Sequence, residues 1–152
     1  MRIAVYHNLP SGGGKRALHE QVSRLGRRHQ VDVYALSCAE HTFCDLRPYA
    51  ARHVVHTFVP WPLARRPFGR LNQGIRSLDL CRLRRLQEEM AKQIDDRSYD
   101  VLLVGNCQFS AGPSILEFLQ TPTVYYCQEP PRILHEPGPT RSYAEFSFIQ
   151  RI

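Results

Sequence analysis

The sequence predicts a doubly wound, Rossmann-like α/β domain whose parallel sheet has about five to six strands in the order 3-2-1-4-5. Three observations support this prediction. Short β-prone runs alternate with segments of helical period from Ile3 to Cys127. Residues 100–104 form a nearly continuous apolar run, which is typical of a parallel strand buried on both faces. A glycine-rich turn separates the first strand from the first helix.

The order of the elements follows from changes in hydrophobic period along the chain. The first strand breaks at Asn8, and apolar residues at helical spacing follow the glycines. The second strand completes a βαβ unit, whose crossover we expect to be right-handed. A loop over residues 37–52 precedes the third strand, and prolines from Pro60 to Pro67 exclude regular structure before a long helix. The predicted strands are residues 3–6, 31–36, 53–59, 100–104 and 123–127, and the predicted helices are residues 15–25, 71–94 and 113–119.

Size, charge and cysteine content limit the classes of protein. A chain of 152 residues has room for one domain with a hydrophobic core. Lys and Arg number 20 against 14 acids, which gives a net charge of +6, and much of the excess lies between Arg65 and Arg85. Five cysteines without a CxxC pair indicate a reducing compartment. The apolar run before His7 is too short for a signal-peptide core, so we expect a cytoplasmic protein, at most peripheral on the inner face of the membrane.

The loops after strands one, four and five predict a binding site. In an open α/β sheet, ligands bind beyond the carboxyl ends of the strands where the strand order reverses, here between strands one and four. The glycine turn allows close approach of backbone amides and leads into a helix whose positive end favours phosphate. The turn matches neither GxGxxG nor GxxxxGK[ST], so a ligand-free tight turn is the alternative. The candidate residues of this turn are Gly12, Gly13, Gly14, Lys15 and Arg16.

Polar side chains follow strands four and five. Asn106 and Gln108 can hydrogen-bond a polyhydroxyl ligand, or they can satisfy the loop backbone. Ser110 either contacts a ligand or caps the next helix. Glu129 follows strand five and precedes two prolines, a position suited to a carboxylate that faces a ligand, although a salt bridge to Arg132 is the alternative.

Two other groups of residues carry metal-ligating or basic side chains. The spacing of Cys38, His41 and Cys44 matches no common structural zinc pattern, so we expect no metal. His7 is either a base or sugar contact, or a packed residue.

Aromatic and arginine residues cluster in the segment after strand three. Such a mixture docks on anionic membrane surfaces, although a simply solvated face is the alternative. No nucleic-acid-binding motif accompanies it, so we expect no nucleic acid partner. The candidate membrane contacts are Trp61, Arg65, Arg66, Arg82 and Arg85.

Four segments in this order resemble the amino-terminal domain of family-4 retaining glycosyltransferases of the GT-B fold: residues 8–16, 31–35, 99–104 and, above all, 125–132. The resemblance implies that residues 1–132 are the acceptor-side domain and that residues 133–152 are a linker or the start of a missing segment. A second Rossmann-like domain would hold most of a nucleotide-sugar donor, and no cofactor would bind tightly. The chain alone would be inactive, and the complete enzyme would transfer a hexose to a hydroxyl acceptor.

The resemblance also suggests roles for single residues. The glycine pair matched by Gly12 and Gly13 lies near the donor diphosphate or the acceptor, and Arg16 matches an arginine that often closes the motif. Lys15 stands where relatives often have an acid. Gln128 stands where they frequently have histidine before Glu-Pro-Pro, and residues 106–108 lack the histidine often found after strand four. No catalytic residue is therefore assigned, and a stand-alone nucleotide- or partner-binding module without catalysis stays as the alternative.

Overall fold

The computed structural model describes residues 1–65, 67–110 and 112–128. Within them, five parallel strands pair in the order β3-β2-β1-β4-β5, which confirms the predicted fold class and strand order. The predicted boundary at residue 132 and the segment 133–152 lie outside the described residues. The strands are β1 Arg2–Asn8, β2 Gln30–Leu36, β3 Arg52–His56, β4 Val101–Cys107 and β5 Thr123–Tyr125, and the helices are α1 Gly13–Leu25 and α2 Asn72–Asp95. Short 3-10 helices cover Arg47–Tyr49, Phe68–Leu71 and Ser114–Glu117.

Two apolar clusters hold the helices against opposite faces of the sheet. On one face, Leu18 and Val22 of α1 pack with Val5 and Val33. On the other face, α2 contributes a buried stripe that packs against alternating residues of β1, β2 and β4. The central strands are therefore covered on both sides, which explains why their sequences are nearly continuously apolar. The α2 stripe consists of Leu83, Met90, Ala91 and Ile94.

Some predicted boundaries are wrong. The third strand was predicted to reach Val59, but β3 ends at His56. The chain leaves the sheet there because Phe58 exchanges hydrogen bonds with the Ser37 side chain: its N–H donates to Ser37 Oγ at 2.9 Å, and that hydroxyl donates to Phe58 O at 3.1 Å. The Phe58 ring then enters the core on the α2 face.

Strand four is longer than predicted, and the elements after it are shorter. Gly105 and Asn106 were expected in a loop but belong to β4, because β1 also extends and pairs Asn8 with Cys107 after an irregularity in register. Strand β5 ends at Tyr125. The helix expected over residues 113–119 is a single 3-10 turn. Within the described residues, no helix is both long enough and apolar enough to cross a membrane.

A buried hydrogen-bond chain joins β2 to the segment between α2 and β4. Tyr99 donates its hydroxyl to Asp32 Oδ2 at 2.6 Å, and the hydroxyls of Tyr34 and Tyr99 lie 2.8 Å apart. Burial, reinforced by the bond to Asp32, holds the pKa of Tyr99 above its usual range. The hydroxyl of Tyr99 thus stays protonated and solvates a carboxylate that is almost completely removed from water.

Tyr99→Phe should lower the free energy of unfolding by about 2 kcal/mol, because the substitution removes a hydrogen bond to a buried carboxylate. The second oxygen of Asp32 finds no partner in the described part of the chain, so nothing compensates. Urea denaturation at pH 7 measures the change. Tyr34→Phe is the matched control and should cost about half as much, because Tyr99 still donates to Asp32. Equal costs would contradict this account.

Candidate functional site

A cavity of about 640 Å³ lies at the carboxyl edge of the sheet, between the turn after β1 and the end of β4. Its position is the one that the strand order predicts, because β1 pairs with β2 on one side and β4 on the other. The volume falls within the range of small-molecule sites, roughly 300–1,000 Å³. Among the predicted residues, it is lined by Gly12, Gly13, Gly14, Asn106, Gln108 and Gln128.

The glycine turn brings bare backbone to this cavity. Gly12 has φ +154°, a conformation that favours glycine. A Cβ atom on Gly13 would meet no atom within 4 Å, so the space beside it is open to a ligand. Within the described residues, no side chain caps the start of α1. The N–H groups of its first turn have no intrahelical acceptor, and they carry the positive end of the helix dipole beside glycines that line the cavity.

Gln128 closes one wall of the cavity against the start of α1. Its Nε2 donates to the carbonyl oxygen of Gly14 at 3.1 Å, and its Oε1 occupies the space that a Cβ atom on residue 14 would need. Glycine at this position is therefore what lets the segment after β5 approach the helix. Glu129, the next residue and a predicted ligand contact, lies outside the described residues.

A small polar network holds the opposite wall. Gln108 Nε2 donates to Asn8 Oδ1 at 2.9 Å and to the carbonyl oxygen of Cys38 at 3.2 Å. Asn8 in turn lies 3.5 Å from the sulfur atoms of both Cys107 and Cys38. The donor group of Gln108 is thus used within the protein, and no hydrogen bond to its Oε1 forms within the described residues, which leaves that oxygen to accept from a ligand.

Asn106 is half-buried at the end of β4 and accepts a hydrogen bond on Oδ1 from the Tyr125 hydroxyl at 3.0 Å. Its Nδ2 donates no hydrogen bond to the described part of the chain, and the residue lines the cavity. Ser110 instead donates to the carbonyl oxygen of Gly112 at 2.9 Å, so it caps no helix and lies outside the cavity lining. Among the described side chains of the walls, the amide of Asn106 is therefore a free donor, and the amide oxygens of Gln108 and Gln128 are free acceptors beside the glycine backbone.

Two predicted residues of the turn point elsewhere. Lys15 is buried, and its Nζ lies 3.2 Å from Nε2 of His7. The reason is its spacing: with Leu18 and Val22 it begins the helical stripe that packs on the sheet. Arg16 is exposed, with its guanidinium 5.9 Å from the centroid of the Phe43 ring. Neither side chain lines the cavity, so a contact between them and a diphosphate there has no support from this geometry.

The buried Lys15 sits among three histidines. His7 is fully buried within β1, its ring centroid lies 6.5 Å from that of His41, and His41 lies 5.6 Å from His53. Burial, together with the nearby Lys15 ammonium, holds the pKa of His7 well below its usual value. Burial also lowers the pKa of Lys15 to about 8, and Asp45 opposes this only in part. This environment supports the interpretation of His7 as a packed residue.

Within the described residues, no group of three or more His, Cys, Asp or Glu side chains is placed to hold a metal ion. The Cys38, His41 and Cys44 pattern is dispersed among other contacts. His41 Nε2, for example, lies 3.0 Å from the carbonyl oxygen of Leu36.

The candidate membrane contacts differ in their surroundings. Arg82 is engaged within the protein: it pairs with Asp79 at 2.7 Å, and its guanidinium lies 4.9 Å from the ring centroid of Trp61. Trp61, Arg65 and Arg85 are exposed. Arg66 lies outside the described residues.

The depressed pKa of Lys15 makes stability depend on pH. Between about pH 8 and pH 10.5, the unfolded chain keeps Lys15 protonated while the folded protein does not, so its contribution to stability should rise with pH, by on the order of 2 kcal/mol. Urea unfolding at pH 7, 8, 9 and 10 should show this rise in the native protein relative to Lys15→Met. Lys92→Met is the control, because Lys92 is exposed beside Glu88 and its pKa is raised. If the stability of Lys15→Met changes with pH in the same way as that of the native protein, the buried ammonium is not the cause of the pH dependence.

No protein-family model and no curated protein matches the sequence. Among solved structures, the chain is similar to the carboxyl-terminal domain of a hydrogenase from Pyrococcus furiosus, at 11% sequence identity and a TM-score of 0.45. The alignment covers 82% of this chain and 89% of that domain. A likeness of this degree carries no argument about function.

Proposed function

We propose that the chain is the acceptor-side half of a retaining glycosyltransferase, which transfers a hexose from a nucleotide-sugar to a hydroxyl of a glycan, a lipid or a small molecule. One observation carries the proposal. Within the described residues, the cavity at the carboxyl edge is walled by glycine backbone and side-chain amides and has no charged side chain in its lining. Neutral donors and acceptors of this kind match the hydroxyls of a sugar, each of which both donates and accepts.

The same lining explains why a second domain is part of the proposal. Sugar transfer requires positive groups or helix amides to stabilise the leaving diphosphate, and it requires the acceptor hydroxyl to be held beside the anomeric carbon. The cavity offers the first turn of α1 for an anion, but its described lining includes no carboxylate, histidine, lysine or arginine. We therefore expect the chain to bind one side of the reaction and to be inactive without its partner domain.

The rival proposal is a stand-alone module that binds a nucleotide or a partner without catalysis. It is favoured by the same shortage of reactive side chains and by the open space beside Gly13. We further propose a cytoplasmic location, with the exposed Trp61, Arg65 and Arg85 as contacts to an anionic membrane surface.

Transfer and binding assays separate these proposals. Labelled nucleotide-sugars and hydroxyl acceptors are incubated with the chain alone and with the product of the longest reading frame that contains it. The half-enzyme proposal expects transfer only by a longer product that supplies a second Rossmann-like domain. Binding of a nucleotide by the 152-residue chain, with no transfer by either preparation, would favour the stand-alone module.

Gly13→Val should weaken sugar or nucleotide binding at the cavity by at least about tenfold while leaving the fold intact. A Cβ atom at this position meets no atom within 4 Å, so the new side chain extends into open space beside the cavity lining. Titration followed by amide chemical shifts measures the affinity. Gly74→Val is the matched control, because Gly74 is also helical and also has open space where Cβ would lie, but it is remote from the cavity lining. Equal affinity of both variants would place the ligand elsewhere.

A further inference from the structure

A second cavity of about 420 Å³ lies on the other side of Gln108. It is formed by the segment after β3, the first half of α2 and the residue that follows Gln108. Gln108 lines both cavities, so the two cavities meet at this residue. The other residues that line the second cavity are mainly apolar and include Phe58, Trp61, Leu80, Leu83 and Phe109.

Interactions within the protein hold this second cavity open. The backbone N–H of Trp61 donates to Asp79 Oδ2 at 2.8 Å, and Arg82 pairs with the other oxygen of the same carboxylate at 2.7 Å. The Arg82 guanidinium lies 4.9 Å from the Trp61 ring centroid and 5.7 Å from that of Phe58. The segment is thus fastened to the helix by the Trp61–Asp79 hydrogen bond and two cation–π contacts, while the ion pair within α2 orients the Arg82 guanidinium. The apolar wall is therefore formed before any ligand arrives.

The cavity leaves large apolar side chains in contact with water. Trp61 is 47% exposed, Leu80 43% and Phe109 38%. Covering this surface with an apolar group is favourable by roughly 25 cal/mol per Å². A polar ligand gains nothing comparable from these walls, so the preferred occupant is apolar.

The charged residues around the cavity indicate which sign of charge a bound ligand should carry. Asp79 is neutralised by Arg82, whereas Arg76, the other charged residue of the lining, forms no ion pair within the described residues. Arg65 and Arg70 lie exposed nearby in the sequence and add positive charge to this part of the surface. A ligand that brings a negative charge to the unpaired guanidinium of Arg76 is therefore favoured over a neutral or cationic one.

We infer that the second cavity binds the apolar part of an anionic amphiphile, with the negative charge beside Arg76 and a polar, hydroxyl-bearing end that passes Gln108 toward the first cavity. This inference rests on the proposed function in one respect, because it makes such an amphiphile the acceptor. The binding itself needs no transfer, and it takes one monomeric molecule rather than a membrane surface.

Trp61 makes the binding directly measurable, because it is the only tryptophan of the chain and lines the cavity. Its fluorescence is followed during titration with decyl phosphate, decyl glucoside and decyltrimethylammonium, each below its critical micelle concentration. We expect a saturable blue shift, with decyl phosphate binding at least about threefold more tightly than the neutral compound. Absence of a saturable change with decyl phosphate would overturn the inference.

Two pairs of variants test the location. Leu80→Asp should weaken decyl phosphate binding at least about tenfold. Leu78→Asp is its control, because Leu78 lies on the same helix and is 53% exposed but is not part of the lining. Arg76→Gln should abolish the preference for phosphate over glucoside, while Arg70→Gln should retain it. Circular dichroism confirms the fold, and Leu80→Gln replaces the aspartate variant if that one fails to fold.

Four further outcomes are decisive. Equal losses in Leu80→Asp and Leu78→Asp would overturn the inference, because they indicate adsorption along the exposed helix. A response to phosphatidylglycerol vesicles without one to monomeric decyl phosphate would also overturn it, in favour of a membrane surface. Cavity binding of decyl phosphate without sugar transfer by any longer product would uphold the binding inference and reject the proposed function. Transfer to hydrophilic acceptors without decyl phosphate binding would uphold the proposed function and reject the binding inference.

Discussion

The parallel pairing of β1 with both β2 and β4 is the constraint on which the site depends. Strand β1 is hydrogen-bonded to a neighbouring strand on each side and is buried on both faces. The chain that follows its carboxyl end therefore enters the crevice between the helical connections, which lie on opposite faces of the sheet. Helix α1 covers one face and α2 the other. Backbone hydrogen bonding therefore brings three segments to the same edge of the sheet: the glycine turn, the end of β4 and the segment after β5. This placement does not depend on the side chains of the site.

The chemistry of that edge is mostly the chemistry of amides. Backbone groups of the turn and the side-chain amides of Asn106, Gln108 and Gln128 supply most of the polar lining, and Ser11 and Tyr126 add hydroxyl groups. The protein instead places its cationic Lys15 beside His7 in the interior, where water is excluded and the ammonium is destabilised. Such an edge can recognise hydroxyls and can orient a substrate. It has little capacity to move protons, which is consistent with proposing that the reactive groups of the complete enzyme come from a second domain.

Hydrophobic period, the glycine turn and the rules of doubly wound sheets were together enough to predict the fold class and strand order. Burial on both faces leaves a strong signature in β1, β2 and β4. It could not predict that Lys15 joins the buried stripe, since a lysine in a glycine turn is ordinarily solvated, although its spacing to Leu18 and Val22 carried a weak signal. The second cavity could not be predicted from the sequence either. It exists because Phe58 leaves the sheet through hydrogen bonds with Ser37, a contact between residues 21 positions apart.

The shared position of Gln108 predicts a link between the occupancies of the two cavities. Its amide group is held by Asn8 and Cys38, so a ligand that shifts this side chain from one cavity must also reshape the other. Thermodynamic linkage makes such an effect mutual: the factor by which one ligand changes the affinity of the second equals the factor by which the second changes the first. Two molecules bound at once, one in each cavity, would therefore be coupled through this single amide side chain without any movement of the sheet that carries it.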